Sequence, residues 1–209
     1  MIGGDLGYLP DASAALAAQY GFQGLPTSAE LSGIEPNKGM TFRLGKLALS
    51  GEIFTIDYFQ VFRSGLSVAT HTNTKDSDLI LDHILGWARK QFKLELEPIR
   101  PGTAHSSQLE IRLEKSLRDL FPFLSSVGAA MSDNLDEWWE IRPPYELINV
   151  NFWIDKTKYS NFAPQIFRLD RRENVQFEQN VYYAEASLST DKHIEVLTLF
   201  ENACLDALK

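Results

Sequence analysis

The sequence predicts an α+β protein: antiparallel sheets with helices packed on them, in two similar strand-strand-strand-helix halves behind an N-terminal helical arm. Three observations point there. The apolar residues alternate in some stretches and recur every three to four residues in others. Polar capping residues separate the strand-like runs from the helix-like ones. The order strand, strand, strand, cap, helix occurs twice. A chain of 209 residues, 44% hydrophobic and 11% aromatic, is long and apolar enough to bury the core of such a fold.

Residues 1–40 form the arm. "PDASAALAAQY" offers Asp11 as an N-cap and an Ala-rich helix to about Tyr20, in which Leu16 and Tyr20 are the only large side chains. Thr27 and Glu30 have capping-box spacing before a short helical turn. The arm is expected to drape over the body of the protein, the alternative being a segment reserved for a partner.

The first half covers residues 41–104. "TFRLGKLALS", "EIFTIDYFQVF" and "GLSVATHT" read as an antiparallel meander with turns at Ser50-Gly51 and Ser64-Gly65. Strict alternation puts Phe54, Ile56 and Tyr58 on one face of the middle strand and Ile53, Phe59 and Val61 on the other, so coverage on both sides over part of its length is expected. Asn73, Thr74 and Asp76 are cap candidates for a helix from about Ser77 to Phe92, with Leu81, Ile84, Leu85, Ala88 and Phe92 as its buried stripe. Gly86 inside that helix suggests a close backbone approach.

The second half, residues 105–209, follows a Pro/Gly loop. "QLEIRLEK" alternates with Leu109, Ile111 and Leu113 inward and Glu110, Arg112 and Glu114 outward. A helix from about Ser116 to Met131 is expected to kink or restart at Pro122. "EWWEIR", "YELINVNFWID", "QIFRLDRR" and "NVYYAEA" read as strands. Ser189, Thr190 or Asp191 then caps a last helix with Ile194, Leu197, Phe200 and Cys204 on one face. At an offset of 113 the pairs Ile53/Ile166, Phe54/Phe167, Asp57/Asp170, Val68/Val181 and Asp78/Asp191 coincide, which suggests an internal duplication.

Charge and composition narrow the function. A net charge of −8 provides no general attraction to nucleic acid or to an anionic membrane. A single cysteine, Cys204, excludes an internal disulfide and a multi-thiolate zinc site. The N-terminal stretch lacks the basic and apolar regions of a signal peptide, and no run is long enough to span a bilayer, so a soluble cytoplasmic protein is expected. There is no P-loop, G-x-G-x-x-G, H-E-x-x-H, EF-hand loop or C-x-x-C, and no cofactor is expected.

"DEWWEIRPPYELINVNFWID", residues 136–155, concentrates three of the four tryptophans. Alternation sends Ile148, Val150, Phe152 and Ile154 to a core face and Leu147, Asn149, Asn151 and Trp153 to a partly wet one, where Trp153 can anchor a partner. Trp138 and Trp139 point to opposite faces, and Pro143-Pro144 breaks the chain between the two strands. Arg168, Arg171 and Arg172 offer a grip for a carboxylate or phosphate, with Asp170, Glu173 and Glu178 among them as internal ion partners. Asp78 and Asp82 share a helix face, which dipole complementation explains better than a metal site. His83 reads as a hydrogen-bonded boundary residue. His105 with its two following serines, and His71 among Thr72, Asn73 and Thr74, are the loose elements of a catalytic set, without the strained nucleophile turn of a hydrolase.

The expected function is therefore a non-catalytic protein-interaction or assembly module, partnered by another protein or by a second copy through a sheet edge or the tryptophan-bearing face. The binding candidates are Trp138, Trp139, Asn149, Asn151, Trp153, Arg168, Arg171 and Arg172. The alternatives are a hydrolase or transferase with a cleft between the halves, using His71 or His105, and a small-ligand-binding protein.

Overall fold

The computed structural model describes residues 10–31, 39–62, 65–93, 102–135, 144–159 and 164–209. The chain divides into two compact units, Met1–Thr103 and Ala104–Lys209. Each has its own apolar core. The two antiparallel sheets, with helices packed on them, make this an α+β fold, as the alternating and helical periods predict.

The first unit contains α1 (Pro10–Tyr20), α2 (Ser28–Leu31), β1 (Met40–Leu49), β2 (Glu52–Phe62), β3 (Gly65–Ala69) and α3 (Thr74–Phe92). The strands form a meander in the order β1-β2-β3. Ser50 and Gly51 both have positive φ, the turn geometry that matches the twist of the strands it joins. α1 begins at Pro10, so Asp11 lies in the first turn and is not the cap. Proline suits that first position because its missing N–H has no partner there. Thr27 and Glu30 close the expected box: Thr27 N–H and Oγ1–H donate to Glu30 Oε2 at 2.6 and 2.8 Å.

The arm is draped. Leu16, Tyr20 and Phe22 are buried in the core. Phe22 packs tilted against Phe42 at 5.4 Å and stacks on Phe59 at 6.5 Å, in room left by Gly45, where any Cβ would meet the Phe22 ring. Tyr20 Oη lies 3.0 Å from His83 Nδ1, the boundary bond anticipated for that histidine, and burial pushes the phenol up to about 12. Past the ring cluster, Arg43 N–H donates to Gly24 O at 2.8 Å and Gly24 N–H returns to Arg43 O at 3.1 Å. The arm thus pairs with the outer edge of β1.

Three further expectations for this unit need correction. β2 is not covered on both faces: Phe54, Ile56, Phe59 and Val61 all join one cluster, while Ile53 is exposed. Leu44, opposite Asp57, sits in the left-handed region at φ +56, and the inward parity of both strands changes there. The α3 stripe is carried by Ile80 and Ile84 with Trp87, and not by Leu85, Ala88 and Phe92. Apolar residues lie all around this helix, and the edge-on contact of Tyr20 with Trp87 selects the face that is buried. Gly86 meets nothing within 4 Å, so it marks no close approach.

The second unit contains β4 (Ser107–Arg112), α4 (Leu117–Leu120), α5 (Ser125–Asp133), β5 (Asn149–Phe152), β6 (Phe167–Arg171), β7 (Val181–Ala186) and α6 (Thr190–Asp206). Its sheet is antiparallel in the order β4-β7-β6-β5. Ser116 caps α4, and Pro122 opens a 3₁₀ turn that separates α4 from α5, the expected restart. Leu109, Ile111 and Leu113 face inward as alternation requires. Leu117 N–H donates to Tyr182 Oη at 3.0 Å and ties α4 to the central strand. On α6 it is His193, not Ile194, that continues the buried row of Leu197, Phe200 and Cys204; Ile194 is exposed. The expected strand over residues 137–142 lies outside the described residues, and the strand expected over 145–155 shortens to Asn149–Phe152.

Candidate binding surface at the β5 edge

Register lines up two faces of the four-stranded sheet. Val150, Leu169, Ala184 and Leu109 oppose one another on the side covered by α6. On the other side run two polar rows, Asn151-Arg168-Glu185-Gln108 and Asn149-Asp170-Tyr183-Glu110. Gln108 Nε2–H donates to Glu185 Oε1 at 3.2 Å, and Arg172 Nε is 3.3 Å from Glu110 Oε2. Tyr183 stands amid this checkerboard. Burial and the Glu185 carboxylate raise its phenol above the ordinary range. A shallow groove of about 380 Å³ adjoins it, lined by Asp170 to Asn174 and Tyr183.

Four of the anticipated binding residues, Asn149, Asn151, Arg168 and Arg172, therefore share this open face. Arg171 does not. It points to the helix side, where its guanidinium lies 3.8 Å from the centre of the Phe177 ring and donates from Nη2 to Val175 O at 3.1 Å. An arginine at 171 alternates away from its neighbours at 168 and 172, so the three cannot converge on one anion. Trp138 and Trp139 lie outside the described residues.

Trp153 follows β5 and is 55% exposed, with Lys156 Nζ 4.3 Å above its ring. An Asp155 turn holds this loop: Thr157 Oγ1–H and N–H donate to Asp155 Oδ1 at 2.6 and 3.0 Å, which keeps that carboxyl below its usual range. Phe152 and Ile148, expected in the core, are 56% and 51% exposed. β5 is an edge strand, and α6 shelters its apolar side only partly, through the Phe152-Phe200 contact at 6.5 Å. Arg171 N–H donates to Ile148 O at 2.8 Å. In an antiparallel ladder bonded pairs alternate, so Ile148, Val150 and Phe152 turn their N–H and C=O toward β6, while Asn149 and Asn151 turn theirs outward.

Two further histidine sites bear on chemistry. His193 is fully buried; its Nδ1 lies 2.7 Å from Ser107 Oγ, and its Nε2 has no hydrogen-bond partner. Burial depresses its pKa below 6.5 and keeps the ring neutral. A serine and histidine at this distance resemble a nucleophile and base, yet both are sealed from solvent. The serine anticipated beside His105 thus pairs with a histidine 86 positions away. The signal that would have flagged it is a polar residue in the buried row of α6. In the first unit His71 Nε2 lies 3.4 Å from Asp57 Oδ1, and His71 lines an open cleft of about 570 Å³ together with Glu52, Thr55, Thr72 and Asp76. His71 is itself largely exposed.

Among the described residues no group of three or more His, Cys, Asp or Glu side chains is placed to hold a metal, and no helix is long and apolar enough to cross a membrane. Neither a family model, nor a curated protein, nor a solved structure matches this chain.

Proposed function

We propose that this chain is a non-catalytic protein-interaction or assembly module of a soluble protein, and that it engages its partner through the β5 edge. The observation that carries this is the coincidence of outward-facing backbone groups at Asn149 and Asn151 with exposed Ile148, Phe152 and Trp153. An open edge beside large apolar side chains is the arrangement that strand addition uses, and uncovered it is a liability. The repeated meander-then-helix order supports internal duplication as part of this reading. A photo-reactive residue placed at Trp153 in the native source should form adducts with polypeptide, while one at Ile53, exposed on the first unit, should not. Equal labelling at the two positions, or none at Trp153, would contradict the proposal.

A second reading, a hydrolase or transferase, rests on the His71-Asp57 pair at its open cleft. It would require turnover of a simple ester or phosphoester that His71→Ala abolishes without loss of fold.

A further inference from the structure

The proposed interaction at β5 leaves the partner open, and the sequence of the strand itself narrows it. Residues 148–152 read Ile-Asn-Val-Asn-Phe, a chemical palindrome about Val150. We infer that the occupant of this edge is a second copy of the same chain, paired antiparallel with Val150 on the twofold axis; this rests on the interaction reading above.

The argument is geometric. Residues directly opposite in an antiparallel ladder lie on the same face, so a twofold must pass through a residue and not between two. Centred on Val150, it places Asn149 opposite the partner's Asn151. Those are the residues whose N–H and C=O point outward, and each such pair exchanges two backbone hydrogen bonds. On the open polar face their side-chain amides lie within mutual reach, as cross-strand neighbours do. On the helix side Ile148 faces the partner's Phe152, so each half-exposed apolar side chain covers the other. An isologous interface needs such a self-complementary patch. The opposite edge, β4, carries Glu110 and Arg112 and shows no such symmetry.

Asn151→Pro isolates the claim. The Asn151 N–H points away from β6, so proline removes no hydrogen bond of the monomer, and proline is tolerated at sheet edges for that reason. Two symmetric hydrogen bonds of the dimer are lost. Sedimentation velocity of the full chain from ~5 to ~500 µM spans the range of small interfaces. A wild-type monomer-dimer equilibrium weakened about tenfold or more by Asn151→Pro is expected, with an unchanged circular dichroism spectrum. Asn149→Lys with Asn151→Lys should dissociate the dimer, and Asn149→Lys with Asn151→Glu should restore it, because the register sets lysine against glutamate. If the axis lay at residue 151 the last pair would repel, and the inference would be overturned. A wild-type monomer throughout would overturn it as well, while the photo-labelling at Trp153 would still decide the interaction reading. A dimer indifferent to Asn151→Pro would place self-association on another surface and also overturn it.

Discussion

Each sheet of this protein contains a three-strand antiparallel meander followed by a helix, β1-β2-β3-α3 in one and β5-β6-β7-α6 in the other, and the two differ in how one edge is finished. In the first unit the arm lies along β1: Gly24 pairs with Arg43, and Tyr20 and Phe22 fill the apolar face beside it. In the second, β5 ends the sheet with Ile148, Phe152 and Trp153 exposed. A sealed edge and an unsealed edge on like scaffolds teach that the exposure at β5 is not a requirement of the meander. The arm meets that edge through a backbone bridge from Gly24 to Arg43 beside its buried rings, and among the described residues β5 has no such cover.

Removing the seal is the strongest way to break the contrast. Phe22→Ala empties a buried position between Phe42, Phe59 and Gly45, and should cost about 3–5 kcal/mol in chemical denaturation. A loss below ~1 kcal/mol would mean the arm merely rests on the unit.

The second unit carries its own sensitivity to pH. The buried His193 is neutral and its folded pKa is depressed, so its stabilising effect is complete above the ordinary value of 6.5. Below it the unfolded chain takes up a proton that the folded chain refuses. Stability then falls with pH, by at most about 1.4 kcal/mol per pH unit, until the folded value is reached. Denaturation followed at ~pH 7 and ~pH 5 should show this loss, and His193→Leu should flatten it. An unchanged slope in that variant would assign the acid sensitivity to other groups.

Leu44 offers a gain in place of a loss. Its left-handed backbone costs a branched apolar residue about 1 kcal/mol, and its side chain is half exposed, so little burial is at stake. Leu44→Asn should raise the midpoint of thermal unfolding slightly, since asparagine accepts that conformation. The smallest expected effect is that of Phe152→Ala on the monomer, below about 1 kcal/mol, because the ring is already more than half in water. The same substitution should reduce association more than it reduces stability, which separates a surface residue from a core one.

How much of this was legible in the sequence depends on whether the signal was local. The fold class, the β1-β2 turn, the Thr27-Glu30 box, the Asn73 cap and the restart at Pro122 all follow from neighbours within a few residues, and all are present. Alternation alone misassigns the faces of β2 because it assumes an unbroken strand, and nothing in "TFRLGKLALS" announces a leucine in the left-handed region. Proximity in sequence groups Arg171 with Arg168 and Arg172, and strand parity divides them. Ile148 and Phe152 have the right parity for the core and still stand half outside it. Their exposure follows from the position of β5 at the sheet edge, which depends on a strand order that no local pattern carries. His193 was missed for the converse reason: its partner Ser107 is distant in sequence, and only the fold brings them together.

The contrast between the sealed and the open edge has one direct readout, amide hydrogen exchange resolved by residue and by protein concentration. In dilute protein Arg43 N–H, bonded to Gly24, should be protected, and Asn149 and Asn151 N–H should exchange freely while Val150 and Phe152, turned toward β6, are slow. On concentrating the protein, protection should appear at Asn149 and Asn151 and nowhere else in β5. Protection of those two amides already in the dilute monomer would show the edge to be covered from within the chain, and free exchange at every concentration would show that no second copy adds to it; either result contradicts the account.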